Sequence, residues 1–424
     1  MRNELAGKQF ERDMEPQVLR SLQHFPAVFV NGPRQAGKST LAQRLIRSGG
    51  FDARYVSFDS ETERVNAWSN PATYLREADT PLVINEVQKA QKIFDAIKLT
   101  VDEIRFAALS GGTSPNGRFL LTGSANLDAV SKLAHAMVGR MVTKTLLPLS
   151  VCEAIGSKST FLGRCFSGDF SGIAPVDLRL ADAISVASFP ALPSMPEDEL
   201  RGWFDAYIRR AAYEDPVFLY KLEKAECLPF MLKSIAIRAG SLLNDAGLGR
   251  ELGLNAVTTK TYRRLLEQMF LTNSLAPWRR NVGRRLVKSK KVYFHDTMLL
   301  CHLLETSPSS LAACDPNRFG HVLENFVLTE LTKASHAASE GFGMSYYRTS
   351  AGAEVDFVLE RGGKMVAIEV KHAENVSKRD IKGVFDLRDA MGKDLLRSIV
   401  LCNAPRVLSF DKDILLVPFA ALWQ

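Results

Sequence analysis

The chain has 424 residues, 46% hydrophobic and 24% charged, with a formal net charge of +7. This composition excludes a disordered or fibrous chain, and the length predicts two or three domains, each large enough to bury its own core. A positive excess this small points to a polyanionic partner only where it is concentrated locally.

The start, MRNELAGKQFERDMEP, is charged and has no apolar signal core, and no stretch approaches the roughly 18 to 20 apolar residues of a membrane helix. A cytoplasmic protein with no membrane partner is expected. The six cysteines (Cys152, Cys165, Cys227, Cys301, Cys314, Cys402) have no metal-ligand spacing and read as reduced structural thiols.

The first chemically specific segment is AVFVNGPRQAGKSTLAQRLI, a strand-like run, a glycine-rich turn and a helical pattern. Gly32 to Ser39 fits GxxxxGK[ST] in the strand-before, helix-after context that gives the pattern its mechanism. The predicted ATP-binding segment is Gly32, Pro33, Arg34, Gln35, Ala36, Gly37, Lys38, Ser39 and Thr40. Gly32 and Gly37 let amides turn inward around phosphates, Lys38 reaches the outer phosphates, and Ser39 offers its hydroxyl to Mg²⁺.

TPLVINEVQ, residues 80–88, reads as a second buried strand ending in a polar pair. Glu86 is the candidate for activating water. Asn85 can meet Mg²⁺ only through a bound water and brings no charge, so metal affinity should fall while nucleotide binding survives. GRFLLTGSAN, residues 117–126, reads as a third strand, with Ser124 or Asn126 placed to sense the γ-phosphate. Between them QKIFDAIKLTVDEIR carries Ile93, Ile97, Val101 and Ile104 at helical spacing. Strands alternating with amphipathic helices predict an α/β fold, a P-loop parallel sheet with helices on both faces and ligand at the strands' carboxyl ends.

Gly, Ser and Pro rise through SGDFSGIAP and ASFPALPSMPEDEL, marking a boundary, and PEDELRGWFDAYIRRAAYEDP reads as a helical lid or connector. Residues 241–275 have the cadence of a helix-turn-helix whose second helix carries Thr259, Lys260, Arg263 and Arg264 on a polar side. RRNVGRRLVKSKK follows, with Arg284, Arg285, Lys288, Lys290 and Lys291 among seven bases unbalanced by any acid. Helix-turn-helix followed by a basic hairpin is the sequence form of a winged helix. Its functional reading is phosphate contact with nucleic acid, DNA favoured; its structural reading is a protein-contact platform with a solvated basic loop.

GMSYYRTSAGAEVDFVLERGGKMVAIEVKH reads as strands joined by a Gly362-Gly363 turn, with Asp356 on one strand and Glu369 and Lys371 on the same face of the next. Those are the parts of a PD-(D/E)xK nuclease core: Asp356 and Glu369 for Mg²⁺, Lys371 for the attacking water, and Glu324 of the upstream helix FGHVLENFVLTELTKA as an additional acid. Such folds also serve as inert binding platforms. The predicted organisation is 1–155 ATPase module, 156–228 connector and helical lid, 229–300 winged helix and 310–424 small restriction-endonuclease-like α/β domain.

The series GPRQAGKST, NEVQKA, GRFLLTGSAN, VGRMVTKTLLPLSVCE, YRRLLEQMFLTNSLAPW, KVYFHDTMLL, LENFVLTEL, YYRTSAGAEVDFVLE and IEVK resembles prokaryotic AAA-type ATPases that carry a long uncharacterised domain after the ATPase module. The resemblance spans about residues 25–375. It implies ATP and Mg²⁺ as cofactors, and Arg140 as an arginine near the γ-phosphate of the same subunit or, in a homo-oligomer, of a neighbouring one. In that family the second acidic motif reads DE, where this chain has Asn85-Glu86. Three functions follow: an ATPase whose C-terminal half engages nucleic acid according to bound nucleotide, a scaffold ATPase for a protein partner of the toxin or defence type, or an ATP-regulated DNA nuclease.

Overall fold

The computed structural model describes residues 9–77, 81–124, 137–173, 178–220, 222, 224–278 and 289–424. They fall into two compact units. The first is Glu11–Pro148 with Gln268–Phe270, and the second gathers the described residues up to Phe10, Leu149–Glu267 and Leu271–Gln424. The connector, the three-helix segment and the C-terminal sheet, separated in the sequence reading, therefore share one unit.

In the first unit, α1 (Glu15–His24), β1 (Ala27–Asn31), α2 (Lys38–Arg47), β2 (Arg54–Ser57), α3 (Glu61–Ser69), α4 (Pro71–Glu77), β3 (Leu82–Asn85), α5 (Ile93–Ala108), β4 (Phe119–Thr122) and β5 (Met141–Thr145) follow in order. The strands form one parallel sheet, ordered β2-β3-β4-β1-β5. β1 is buried along its whole length, and its side chains alternate between two cores. Val28 and Val30 pack with Val18 of α1 and with Leu41 and Leu45 of α2. Ala27 and Phe29 pack with Ala67 of α3, Leu75 of α4, and Phe94, Ile97 and Val101 of α5. Burial on both faces explains the continuous apolar runs, each large side chain contributing about 1.5–3 kcal/mol.

The second unit holds a three-helix segment, Cys227–Ala236, Asp245–Leu252 and Ala256–Gln268, followed by antiparallel β6 (Thr272–Leu275) and β7 (Lys291–Phe294), with an isolated bridge from Leu242 to Lys291. The helix Pro316–Ala337 leads into β8 (Gly343–Arg348), β9 (Glu354–Arg361) and β10 (Lys364–Val370). After the helix Lys382–Met391 come β11 (Leu395–Cys402), β12 (Leu408–Asp411) and β13 (Ile414–Pro418). These six strands form a mixed sheet ordered β12-β13-β11-β10-β9-β8. Gly362 (φ 56°) and Gly363 (φ 76°) close the β9–β10 hairpin, both in the left-handed region that a tight two-residue turn requires.

The helix Pro316–Ala337 owes its place to polar groups as much as to Phe319, Phe326 and Leu331. Asn325 is fully buried; it accepts from Phe294 N at 2.7 Å and donates to Phe294 O and Thr297 Oγ1. Glu330 accepts from Val151 N at 2.9 Å, and Lys333 donates to Leu149 O at 2.8 Å and to Glu330. All six cysteines are free thiols, and no helix among the described residues is long and apolar enough to cross a membrane.

Gly383, early in the helix Lys382–Met391, lies so close to β9 that an added Cβ would sit 1.8 Å from Glu354 O. Gly383→Ala is therefore expected to destabilise the second unit by about 1–3 kcal/mol, lowering the urea midpoint at unchanged slope. Gly341→Ala, which has nothing within 4 Å, should leave the midpoint in place.

Candidate nucleotide site

The loop after β1 is shaped by three left-handed residues, Gly32 (φ 142°), Gln35 (φ 61°) and Gly37 (φ 93°). At Gly32 the need is absolute, because a Cβ would lie 2.0 Å from Leu146 O. Gly37 is the N-cap of α2 and provides no side-chain cap, so the first-turn amides face the loop with the positive end of the helix dipole behind them. Lys38, 5% exposed, folds back and donates to Gly32 O (3.0 Å) and Pro33 O (2.6 Å). Burial pulls its ammonium down to about 8, against the charge of Glu86 and with that of Arg34.

Beside the loop, the ends of β3 and β4 bring together a polar cluster. Asn85, 4% exposed, accepts through Oδ1 from Ser39 Oγ (2.6 Å) and from Thr122 Oγ1 (2.7 Å), and its Nδ2 donates to Ser57 Oγ at 3.0 Å. A carboxylate could supply the acceptor but not the donor. Glu86 stands in the left-handed region (φ 57°) and accepts from Gln88 Nε2 at 2.6 Å; the same amide donates to Ser124 Oγ at 3.1 Å. Only four non-glycine residues among those described have positive φ, and Gln35 and Glu86 are two of them. Strain of this kind, about 1–3 kcal/mol each, persists where surroundings enforce it.

The structure brings the expected Lys38, Ser39, Asn85, Glu86 and Ser124 into one neighbourhood. Sequence reasoning missed Thr122, Gln88, Ser57 and Arg12. Arg12, 7% exposed, donates to Ala36 O and Leu147 O, both at 2.6 Å, bracing the loop from before β1. Gln88 stood in the quoted motif; Arg12 carried no signal in its neighbourhood. Arg140 does not join the cluster. It immediately precedes β5, its carbonyl accepting from Ala27 N at the opposite end of the sheet, and its guanidinium is paired with Asp102 (2.7 and 2.8 Å). Five strand residues separate that end of β1 from the loop, about 16 Å, so Arg140 cannot serve its own chain's phosphates. Asn126 lies outside the described residues.

In the second unit Asp356 and Glu369 do face each other across the β9–β10 hairpin. Asp356 Oδ2 accepts from Val370 N at 2.9 Å, Glu369 Oε2 from Asp356 N at 3.3 Å, and Lys371 Nζ pairs with Glu369 Oε1 at 2.8 Å. The expected Mg²⁺ ligand set of Glu324, Asp356 and Glu369 does not form: among the described residues no group of three His, Cys, Asp or Glu is arranged to hold a metal ion. Lys291 intrudes instead, its Nζ 2.8 Å from Glu324 Oε1, paired with Glu354, and 4.0 Å from Asp356 Oδ1. Burial, reinforced by neighbouring carboxylates, pushes Asp356 up to about 7 and Glu369 to about 8.

The expected basic surface is also redistributed. Arg264 and Lys260 are exposed on the helix Ala256–Gln268, and Lys290 is exposed before β7. Thr259 and Arg263, expected on the same polar side, are buried; Arg263 is spent on Asp245 (2.8 Å) and Glu267 (2.5 Å). Arg284, Arg285 and Lys288 lie outside the described residues.

Residues 24–155 match the model of an AAA domain family; residues 178–310 match a domain of unknown function, DUF8612, and residues 319–422 another, DUF4143. The chain is 28% identical over 367 residues to uncharacterized proteins of Mycobacterium tuberculosis and Mycobacterium bovis, covering 86% of this chain and 75% of each relative. Among solved structures, a Walker-type ATPase of Pyrococcus abyssi is similar at 14% identity and TM-score 0.42, covering 70% of this chain and 96% of that one. A Thermotoga maritima RuvB variant is similar at 15% and 0.30, covering 62% and 88%. Those scores leave the assignment to the parallel sheet, its phosphate loop and the family match. Residues 24–155 form a P-loop ATPase module of the AAA type.

Proposed function

We propose that the protein binds ATP with Mg²⁺ at the loop 32–40 and hydrolyses it slowly, and that its C-terminal half engages nucleic acid, DNA in first place, according to the nucleotide bound. The observation that carries the ATPase reading is the Ser39–Asn85–Thr122 hydrogen-bond cluster set beside the phosphate loop. Because Ser39 directs its proton to Asn85, its oxygen lone pairs remain for a cation, and Mg²⁺ would be held here by that hydroxyl, phosphate oxygens and waters; Asn85, its oxygen already accepting from Ser39 and Thr122, orients the hydroxyl rather than meeting a bound water. When bound, Mg²⁺ supplies the positive charge that offsets the phosphates. Glu86 takes a proton from the attacking water as its oxygen bonds the γ-phosphorus and ADP departs. Gln88 bridges Glu86 and Ser124, which supports the reading of Ser124 as the γ-phosphate sensor.

The nucleic-acid reading rests on the order of three helices and a two-stranded hairpin, which is that of a winged helix, and on Lys260 and Arg264 exposed one turn apart on its third helix, with Lys290 beyond. A protein partner is the second reading, favoured by the withdrawal of Arg263 and Lys291 into ion pairs. Arg140 retains a role only in a homo-oligomer, where a neighbouring subunit presents it.

Asn85→Asp should raise Mg²⁺ affinity and the ATPase rate about tenfold or more, and Lys38→Ala should abolish ATP binding. A steady-state ATPase assay in which Asn85→Asp slows turnover would overturn the assigned role of Asn85.

Lys38 must carry its proton to bind phosphate, and in the empty loop it loses that proton near pH 8. ATP affinity is expected to be flat below that pH and to weaken above it by up to about tenfold per unit, measured by titration calorimetry.

Changing Lys260 and Arg264 to Ala should reduce the salt slope of DNA binding by about 2, at about 0.9 per phosphate contact. DNA binding that ignores both salt and nucleotide would leave the protein-partner reading in its place.

A further inference from the structure

The acidic centre of the second unit has the carboxylates of a metal-dependent nuclease core but not the vacancy for a metal. We propose that Lys291 is its resident cation, standing where the sequence pattern calls for a divalent ion, so that the centre is closed to Mg²⁺ and Mn²⁺ in the native protein. The inference is independent of the nucleotide reading.

Three observations carry it. First, the ammonium is inside the cluster: Lys291 is 3% exposed, its Nζ is 2.8 Å from Glu324 Oε1, paired with Glu354 and 4.0 Å from Asp356 Oδ1, and 5.6 Å from the centre of the Tyr346 ring. A divalent ion bonding Glu324 and Asp356 at about 2.1 Å would lie against this ammonium, and two cations at that range repel strongly in a buried site. Second, one oxygen each of Glu324 and Asp356 and both of Glu369 are committed. Tyr293 donates to Glu324 Oε1 (2.5 Å), Val370 N to Asp356 Oδ2, Lys371 to Glu369 Oε1 and Asp356 N to Glu369 Oε2. Third, Lys291 is held by its backbone: it pairs with Leu275 in the β6–β7 ladder and bridges Leu242. The ladder fixes the point from which the side chain reaches the acids.

The charges also balance better with Lys291 than without it. Glu324, Glu354, Asp356 and Glu369 face Lys291, Lys371 and Arg348, whose guanidinium lies 3.2 Å from Glu354. Four carboxyls against three cations leave one negative charge over, which a retained proton removes. Removing Lys291 would leave two, and a divalent cation would then meet a demand that the native centre lacks.

The test is Mn²⁺ binding to the full chain without nucleotide, followed by electron paramagnetic resonance of free Mn²⁺ and by thermal melting. Wild type and Asp356→Asn/Glu369→Gln are expected to bind the same amount of Mn²⁺. Lys291→Met is expected to gain one Mn²⁺ per chain and a melting temperature that rises with Mn²⁺, both lost when Asp356→Asn is added; Lys291→Arg should resemble wild type. Wild-type Mn²⁺ binding that disappears in Asp356→Asn/Glu369→Gln overturns the proposal, as does a folded Lys291→Met with no added site. If Lys291→Met does not fold, Lys291→Met/Glu354→Gln, with one buried charge fewer, is read in the same way, and the wild-type comparison decides independently.

Discussion

A buried polar group costs several kcal/mol unless it finds a partner, and the two buried polar clusters of this protein are solutions to that constraint. At Asn85 one amide meets three hydroxyls, accepting from Ser39 and Thr122 and donating to Ser57. At Lys291 one ammonium meets the carboxylates of Glu324 and Glu354. In the first cluster the solution is neutral and leaves the loop open to a charged ligand. In the second it is ionic and complete within the chain.

The difference follows from where each cluster lies. The phosphate loop and Asn85 stand at the carboxyl ends of a parallel sheet, and β4, lying between β1 and β3, brings Thr122 to Asn85 and leads to Ser124, which meets Gln88. Open ends of such sheets are where ligands approach. Asp356 and Glu369 of the second unit lie on a hairpin, with Glu324 of the helix Pro316–Ala337 beside them, and the compensating charges come from Lys291 of β7, Arg348 of β8 and Lys371 just after β10.

The sheet, its helices and the loop were legible because period-2 and period-3.6 patterns and the glycine spacing are local properties. Phe29, Ile97 and Lys38 could each be placed from a window of a few residues. Arg12, Thr122 and Lys291 could not, since their roles come from contacts 24, 37 and 33 residues away in sequence. Lys291 misled because it closes a run of bases in which no acid occurs; its acids arrive from a helix and a strand further along the chain. Arg263 misled similarly, a base on a polar stripe that proves to be paired and buried. Arg140 failed through strand direction: a residue just before β5 lies at the wrong end of a parallel sheet for its own loop.

The contacts around Leu146 and Leu147 tie the phosphate loop to the segment that follows β5. Leu146 N donates to Asn31 O at 2.8 Å, its carbonyl fills the space a Cβ of Gly32 would take, and Arg12 spans Ala36 O and Leu147 O. The second unit resumes at Leu149. Arg12 thus ties the phosphate loop at Ala36 to the carbonyl of Leu147, one residue before Pro148, so a single guanidinium is shared by the loop and by the end of the stretch Glu11–Pro148.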